Sequence, residues 1–103
     1  MTVYEFQPEA RIDLDEIWDY IAPGSIDAAD HTIDQILRRI RNLALFPHQE
    51  HRRTNLTNRP LRFIHVRDYL IAYAPDEKPL WVIAFMHGYR NPRVMAAILR
   101  GRD

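Results

Sequence analysis

Leu80-Trp81-Val82-Ile83-Ala84-Phe85-Met86 (LWVIAFM) runs seven residues without a polar side chain. A half-exposed strand alternates apolar with polar residues. An unbroken apolar run of this length predicts a strand covered on both faces. His87-Gly88 ends it. Before it, Pro75-Asp76-Glu77-Lys78-Pro79 reads as a turn and Tyr69–Ala74 as a second strand, with Arg67-Asp68 at the turn before that. Leu61–Arg67 alternates Leu61, Phe63 and His65 against Arg62, Ile64 and Val66, which predicts a third strand. Beyond the run, Asn91 is positioned to cap a short helix. Pro92 takes its first position, and Val94, Met95, Ile98 and Leu99 form its apolar side.

The N-terminal half has a different period. Residues 2–7 (TVYEFQ) alternate as a short strand, and Pro8 suits the first turn of a helix. Ala10, Leu14, Ile17, Trp18 and Ile21 then recur at helical spacing, with Asp13, Asp15, Glu16 and Asp19 assigned to the other face. Trp18 is expected in the core between helix and sheet, and Trp81 in the core as well or, on an outer face, as an anchor for a partner helix. Pro23-Gly24 breaks the helix, and Ser25 caps a second one striped by Ala29, Ile33, Ile36, Leu37, Ile40, Leu43 and Ala44. Phe46-Pro47 stops it. Residues 48–60 (HQEHRRTNLTNRP) form a polar, aperiodic loop, long enough in so small a chain to predict a functional or mobile segment. The expected architecture is therefore α+β, in the order β-α-α-β-β-β-α. A helical hairpin packs on one face of a small, mainly antiparallel sheet.

With 103 residues, 47% of them hydrophobic, the chain is expected to form a single domain over 1–103 with a core of its own. It has no cysteine, which excludes disulfides, thiolate metal sites and cysteine nucleophiles. No apolar run approaches the ~20 residues that span a bilayer, and the N-terminus lacks the pattern of a signal peptide. A cytoplasmic protein without membrane contact is expected. His48 and His51 lie in the loop with no third ligand nearby, so neither a metal nor another cofactor is expected.

A net charge of zero conceals a division. Residues 1–37 hold nine acids and one base, while residues 38–103 hold thirteen bases and five acids. Thirteen of the fourteen bases are arginine, whose planar fork pairs bidentately with carboxylates and phosphates. The basic half invites an anionic partner.

Pro60-Leu61-Arg62-Phe63, Tyr69-Leu70-Ile71-Ala72-Tyr73 and the stretch from Val82 to Pro92, with its His87-Gly88-Tyr89-Arg90-Asn91-Pro92 ending, resemble the ParE branch of the ParE/RelE toxin superfamily. The N-terminal half agrees, through Ala10, Leu14, Ile17-Trp18 and Tyr20-Ile21-Ala22, then Ala28-Ala29, Ile33, Ile36, Ile40, Leu43 and Pro47. The resemblance implies a type II toxin neutralised by a cognate antitoxin, with which it forms a hetero-oligomer. ParE-type relatives poison DNA gyrase by binding, whereas RelE-type relatives cut messenger RNA on the ribosome. Nuclease chemistry needs a base, cations at the phosphate and an acid; His87, Arg62 and Arg90 are the candidates for those roles. The chain has no aromatic residue or histidine after Tyr89, and Lys78 sits in a turn, so the lysine-rich RelE set is missing. The reading therefore favours a gyrase inhibitor over the alternative, a ribosome-dependent endoribonuclease. A degenerate member that only binds its antitoxin is a third possibility.

For a gyrase inhibitor no catalytic residue is expected. Arg62, Arg90, Arg93, Arg100 and Arg102 are the candidates to face the enzyme or its DNA. The resemblance also implies a hydrophobic groove for the antitoxin's C-terminal segment, with Tyr4, Tyr20, Ile26, Tyr73, Val94, Met95 and Ile98 as its candidate anchors. Each charged candidate has a structural alternative. Arg62 and Arg90 could bridge to acids on the hairpin, and His87 could be a hydrogen-bonded residue at a strand end.

Overall fold

The computed structural model describes residues 3–102. The order is β1 (Tyr4–Phe6), α1 (Pro8–Ile21), α2 (Ile26–Leu43), β2 (Arg62–Val66), β3 (Tyr69–Ala74), β4 (Leu80–His87) and α3 (Pro92–Arg100), the α+β order that the sequence predicts. Of the strand expected over residues 2–7, position 2 lies outside the described residues. Gln7 leaves the strand to cap α1, its side-chain oxygen accepting from the Ala10 N–H at 3.0 Å. Ser25 caps α2 in the same way, accepting from Ala28 N–H at 3.1 Å.

The sheet runs β1-β4-β3-β2, with β1 parallel to β4 and the other two pairs antiparallel. The fully apolar run is thus an inner strand, and both its faces are covered. On one face, Leu14 and Ile17 of α1 and Ile36, Ile40 and Leu43 of α2 meet Ile64, Ile71, Tyr73, Val82 and Phe85. On the other, Met95 and Leu99 of α3 meet Leu61, Phe63, Leu70, Ala72, Ile83, Ala84 and Met86. Successive strand residues face opposite layers, so Phe63 joins the α3 layer and Ile64 the hairpin layer.

The β2–β3 hairpin turns in two residues, and Arg67 takes a left-handed φ of 53°. Such tight turns need positive φ to match the strand twist, at a cost of about 1 kcal/mol for a non-glycine residue. Beside it Gly88 donates to the Asp68 carbonyl at 2.7 Å. A Cβ on Gly88 would stand 3.1 Å from that same oxygen, so the close approach favours glycine.

One expectation needs correction. Trp18 is only half-buried and is not wedged against the sheet. It closes the seam between the helices, its indole N–H donating to Asp30 at 2.8 Å. The 48–60 loop is anchored to its neighbours by polar contacts. Arg62 donates to the Glu50 carbonyl at 3.0 Å, Arg39 pairs with the Glu50 carboxylate at 3.1 Å, and His51 accepts from the Phe63 N–H at 2.9 Å. Leu56, hidden in an otherwise polar segment, is buried in the α3 layer.

The loop's first residues hang on a buried phenol. Tyr73 is fully buried, and its hydroxyl donates to the Pro47 carbonyl at 2.9 Å. Burial, reinforced by the charge of Glu50 and opposed by Arg62 and Arg39, pushes its pKa up to about 12. The neutral phenol is therefore the folded form, and its contribution is complete below pH 10 and lost as pH rises towards 12. Urea titrations at pH 8 and pH 11.5 should show wild type losing about 2 kcal/mol more than Tyr73→Phe over that interval. Equal losses in both proteins would mean that the hydroxyl plays no such part.

Candidate functional site

β1 ends at Phe6, so it pairs with only the first half of β4. On that side the second half has no neighbouring strand. Gly88 donates to Asp68 across the β3–β4 ladder, which puts the even-numbered residues of this stretch in bonds to β3. The backbone groups of Ile83, Phe85 and His87 therefore face outward along an open edge. Asp13 covers part of it, accepting the Phe85 N–H at 3.1 Å. Arg102 comes from beyond α3 to grip the same carboxylate with both guanidinium nitrogens, one at 3.0 Å, and also donates to the Ile83 carbonyl at 3.3 Å. Glu9 adds a weaker contact at 3.5 Å.

The side chains of this clamp are well shielded, at 12% exposure for Arg102 and 15% for Asp13. The hydrogen bond to Asp13 holds the Arg102 pKa above its ordinary value, with burial pulling the other way. On the far side of α3, Arg59 donates to the Leu99 and Arg102 carbonyls, occupying acceptors at the helix C-terminus. The chain's last turn is fastened from both sides.

Past the clamp the edge opens into a cleft of about 730 Å³ between α1 and the end of β4. Ile12, Tyr20, Tyr89 and Ile98 form much of its wall, with Glu9 and Glu16 on α1 and Arg90 on the opposite side. Tyr20 and Tyr89 are each 79% exposed. The Phe85 carbonyl and the His87 N–H point towards this side of the strand by the alternation above. A second groove, of about 380 Å³, lies between β1 and the two helices and includes Tyr4, Trp18, Ile33 and Leu37.

The expected charged residues separate into two groups. Arg90, Arg93 and Arg100 are exposed, and their guanidinium groups make no ion pair or hydrogen bond among the described residues. Arg62 and Arg102 are committed internally, to the Glu50 carbonyl and to Asp13. Arg102 thus makes the carboxylate pairing with the hairpin considered for Arg62 and Arg90. Of the nuclease candidates, His87 and Arg90 line the same cleft, but Arg62 stands apart from them. Arg62 pairs across the sheet with Tyr73, and His87 with Tyr69, four residues away on β3. That is about 13 Å along the strand, plus two interstrand spacings of about 4.8 Å each. His87 instead packs edge-on against Tyr69 and accepts weakly from the Tyr89 N–H at 3.4 Å.

Among the groove candidates, Tyr20, Ile26 and Val94 are exposed, while Tyr4 and Ile98 are half-buried. Tyr73 and Met95 are buried in the hairpin and α3 layers, respectively, and offer nothing to a partner docking on this fold. Both belong to the apolar periodicity that builds the core. Asp13, assigned to the solvent face of α1, in fact looks onto the sheet edge. The spacing of Ala10, Asp13, Leu14 and Ile17 held the clue, since it sets this acid within the buried stripe. Among the described residues no group of three His, Cys, Asp or Glu side chains gathers as metal ligands.

Residues 4–92 match the family described as the ParE toxin of the type II toxin-antitoxin system parDE. The chain belongs to the ParE toxin family. Among the described residues, the three helices and the four-stranded mixed sheet are consistent with the ParE/RelE-like fold. No curated protein matches the sequence. Within this ParE-family chain the match stops at the start of α3, so the Arg102–Asp13 clamp lies partly outside the matched region.

Breaking the clamp from either end should cost unequal amounts. Asp13→Ala leaves a shielded guanidinium without its carboxylate and the Phe85 N–H without an acceptor, a loss of about 3–5 kcal/mol. Arg102→Met keeps the apolar stem and leaves Asp13 its bond to Phe85, so it should cost about 1–2 kcal/mol less. Chemical denaturation of the two variants and the double variant measures this. An Arg102→Met loss equal to that of Asp13→Ala would show that the Phe85 bond contributes nothing.

Proposed function

We propose that the protein is a type II toxin that inhibits DNA gyrase by binding it, without chemistry of its own, and that a cognate antitoxin neutralises it in the cytoplasm. The observation that carries this reading is the state of the arginines. Arg90, Arg93 and Arg100 are exposed after β4 with no partner among the described residues, while in the nuclease set Arg62 is tied to the loop, two strands away from His87 and Arg90. A general base and its phosphate-binding cations must sit within a few ångströms of one another. A contact surface has no such requirement. Family membership supports the toxin role.

The antitoxin segment lies in the cleft beside β4. Its apolar side chains rest on Ile12, Tyr20, Tyr89 and Ile98, and its backbone meets the Phe85 carbonyl and His87 N–H. Helix residues Glu9 and Glu16 and the free Arg90 supply a charged rim on either side.

Purified protein should block supercoiling by purified gyrase or trap cleaved DNA, and added antitoxin should restore activity. Arg90→Gln should weaken inhibition several-fold at unchanged stability. His87→Ala should still arrest growth. Codon-phased cuts in messenger RNA from induced cells, lost in His87→Ala, would instead make the protein a ribonuclease.

A further inference from the structure

The charge division along the sequence becomes a division across the sheet. The hairpin, residues 8–43, holds eight acids and four bases and covers one face. The other face is covered by α3 and by the loop that inserts Leu56 beside it. The stretch that builds that face, residues 51–102, contains ten bases and three acids, Asp68, Asp76 and Glu77. Some of these arginines turn away: Arg67 to Gln35, Arg62 to Glu50 and Arg102 to Asp13. Arg52, Arg93 and Arg100 keep their guanidinium groups unpaired among the described residues, and Arg53 bonds only the neutral Asn55. The nearest acids on this side, Glu5 and Glu77, line a groove with Arg59 and Lys78 where β4 begins.

α3 presents its charge in an ordered way. Met95 and Leu99 point into the sheet. Ala97 is exposed on the opposite side, and Arg93 and Arg100 bracket it, seven residues and therefore two turns apart. Their Cα atoms are about 10.5 Å apart along the axis, far enough for the two guanidinium groups to meet different phosphates. A small residue flanked by two arginines lets the helix lie near a phosphate backbone.

We propose that this α3–loop face binds the phosphate backbone of duplex DNA without regard to sequence, with Arg93 and Arg100 on the helix and Arg52 and Arg53 on the loop as the contacts. The inference rests on the gyrase reading and deepens it: these arginines take the DNA on which gyrase acts, leaving Arg90 and the cleft for protein. Duplex is favoured over a single strand because the aromatic rings most open to solvent lie away from this face. The most exposed aromatic residues, Tyr20, Phe46 and Tyr89, sit on the hairpin, at the end of α2 and in the cleft, while Trp81 on this side is half-buried. Single-strand binders use such rings as platforms. An acidic peptide would need a groove, and the one on this side, where β4 begins, carries Glu5 and Glu77 in its own walls.

Fluorescence anisotropy with a random-sequence 20-base-pair duplex, without gyrase, tests the proposal. Four phosphate contacts give a slope of log affinity on log salt of about −3.6, or roughly a hundredfold weakening between 50 and 200 mM salt. Arg93→Gln/Arg100→Gln should reduce that slope by about 1.8, and Arg52→Gln/Arg53→Gln should do likewise. Arg11→Gln/Arg38→Gln, on the hairpin, should leave it unchanged. Circular dichroism of each variant confirms the fold. No duplex binding at 50 mM salt, tighter binding to single-stranded RNA or to polyglutamate, or an equal loss in the hairpin variant overturns the inference. The two readings separate cleanly. Gyrase inhibition without duplex binding removes this inference alone, and duplex binding without gyrase inhibition removes the proposed function alone.

Discussion

β4 carries apolar side chains on both faces, so water must be kept from two sides of one strand. The helical hairpin shields one side and α3, with Leu56 and its loop, the other. Burial of these side chains, each contributing about 1.5–3 kcal/mol, binds the two ends of the chain into one packing problem. β1 comes from the N-terminus to pair with β4, and α3 returns from the C-terminus to cover it. Because β1 is only three residues long, the second half of β4 lacks a strand neighbour on that edge. The Asp13–Arg102 clamp and the open cleft divide that remaining edge.

The clamp joins three parts of the chain that are distant in sequence: α1, the open edge of β4 and the turn after α3. A bidentate guanidinium–carboxylate pair in such a shielded place has directional strength that an exposed pair lacks. It removes Arg102 from any surface role and holds α3 against the sheet, which keeps the arginines on the outer side of that helix facing solvent. An ion pair inside the fold thus helps to orient the unpaired cations outside it.

Much of the architecture was legible in the sequence, since it depends on periodicity and local stop signals. The 3.6-residue stripes of α1 and α2, the Pro-Gly break, Ser25 as cap and the Asn91-Pro92 start of α3 all act within a few residues of themselves. The bounds of β3 and the turn at Arg67-Asp68 followed for the same reason. Leu56 escaped notice because a single apolar residue in a polar loop has no period. Trp18 was misplaced because a helical stripe specifies a face of the helix, and that face here is shared between the sheet and a second helix.

The candidate site was less legible. Composition alone established that the C-terminal two thirds are arginine-rich and the first third acidic, and the wording of the strands pointed to the toxin family. Which arginines remain available depended on distances between residues up to 89 positions apart, as for Asp13 and Arg102. Side-chain chemistry is a property of the sequence, but pairing is a property of space. Arg102 and Arg100 stand two positions apart in the chain, yet one is enclosed against α1 while the other faces solvent, because a helix and its following turn send neighbouring side chains in different directions.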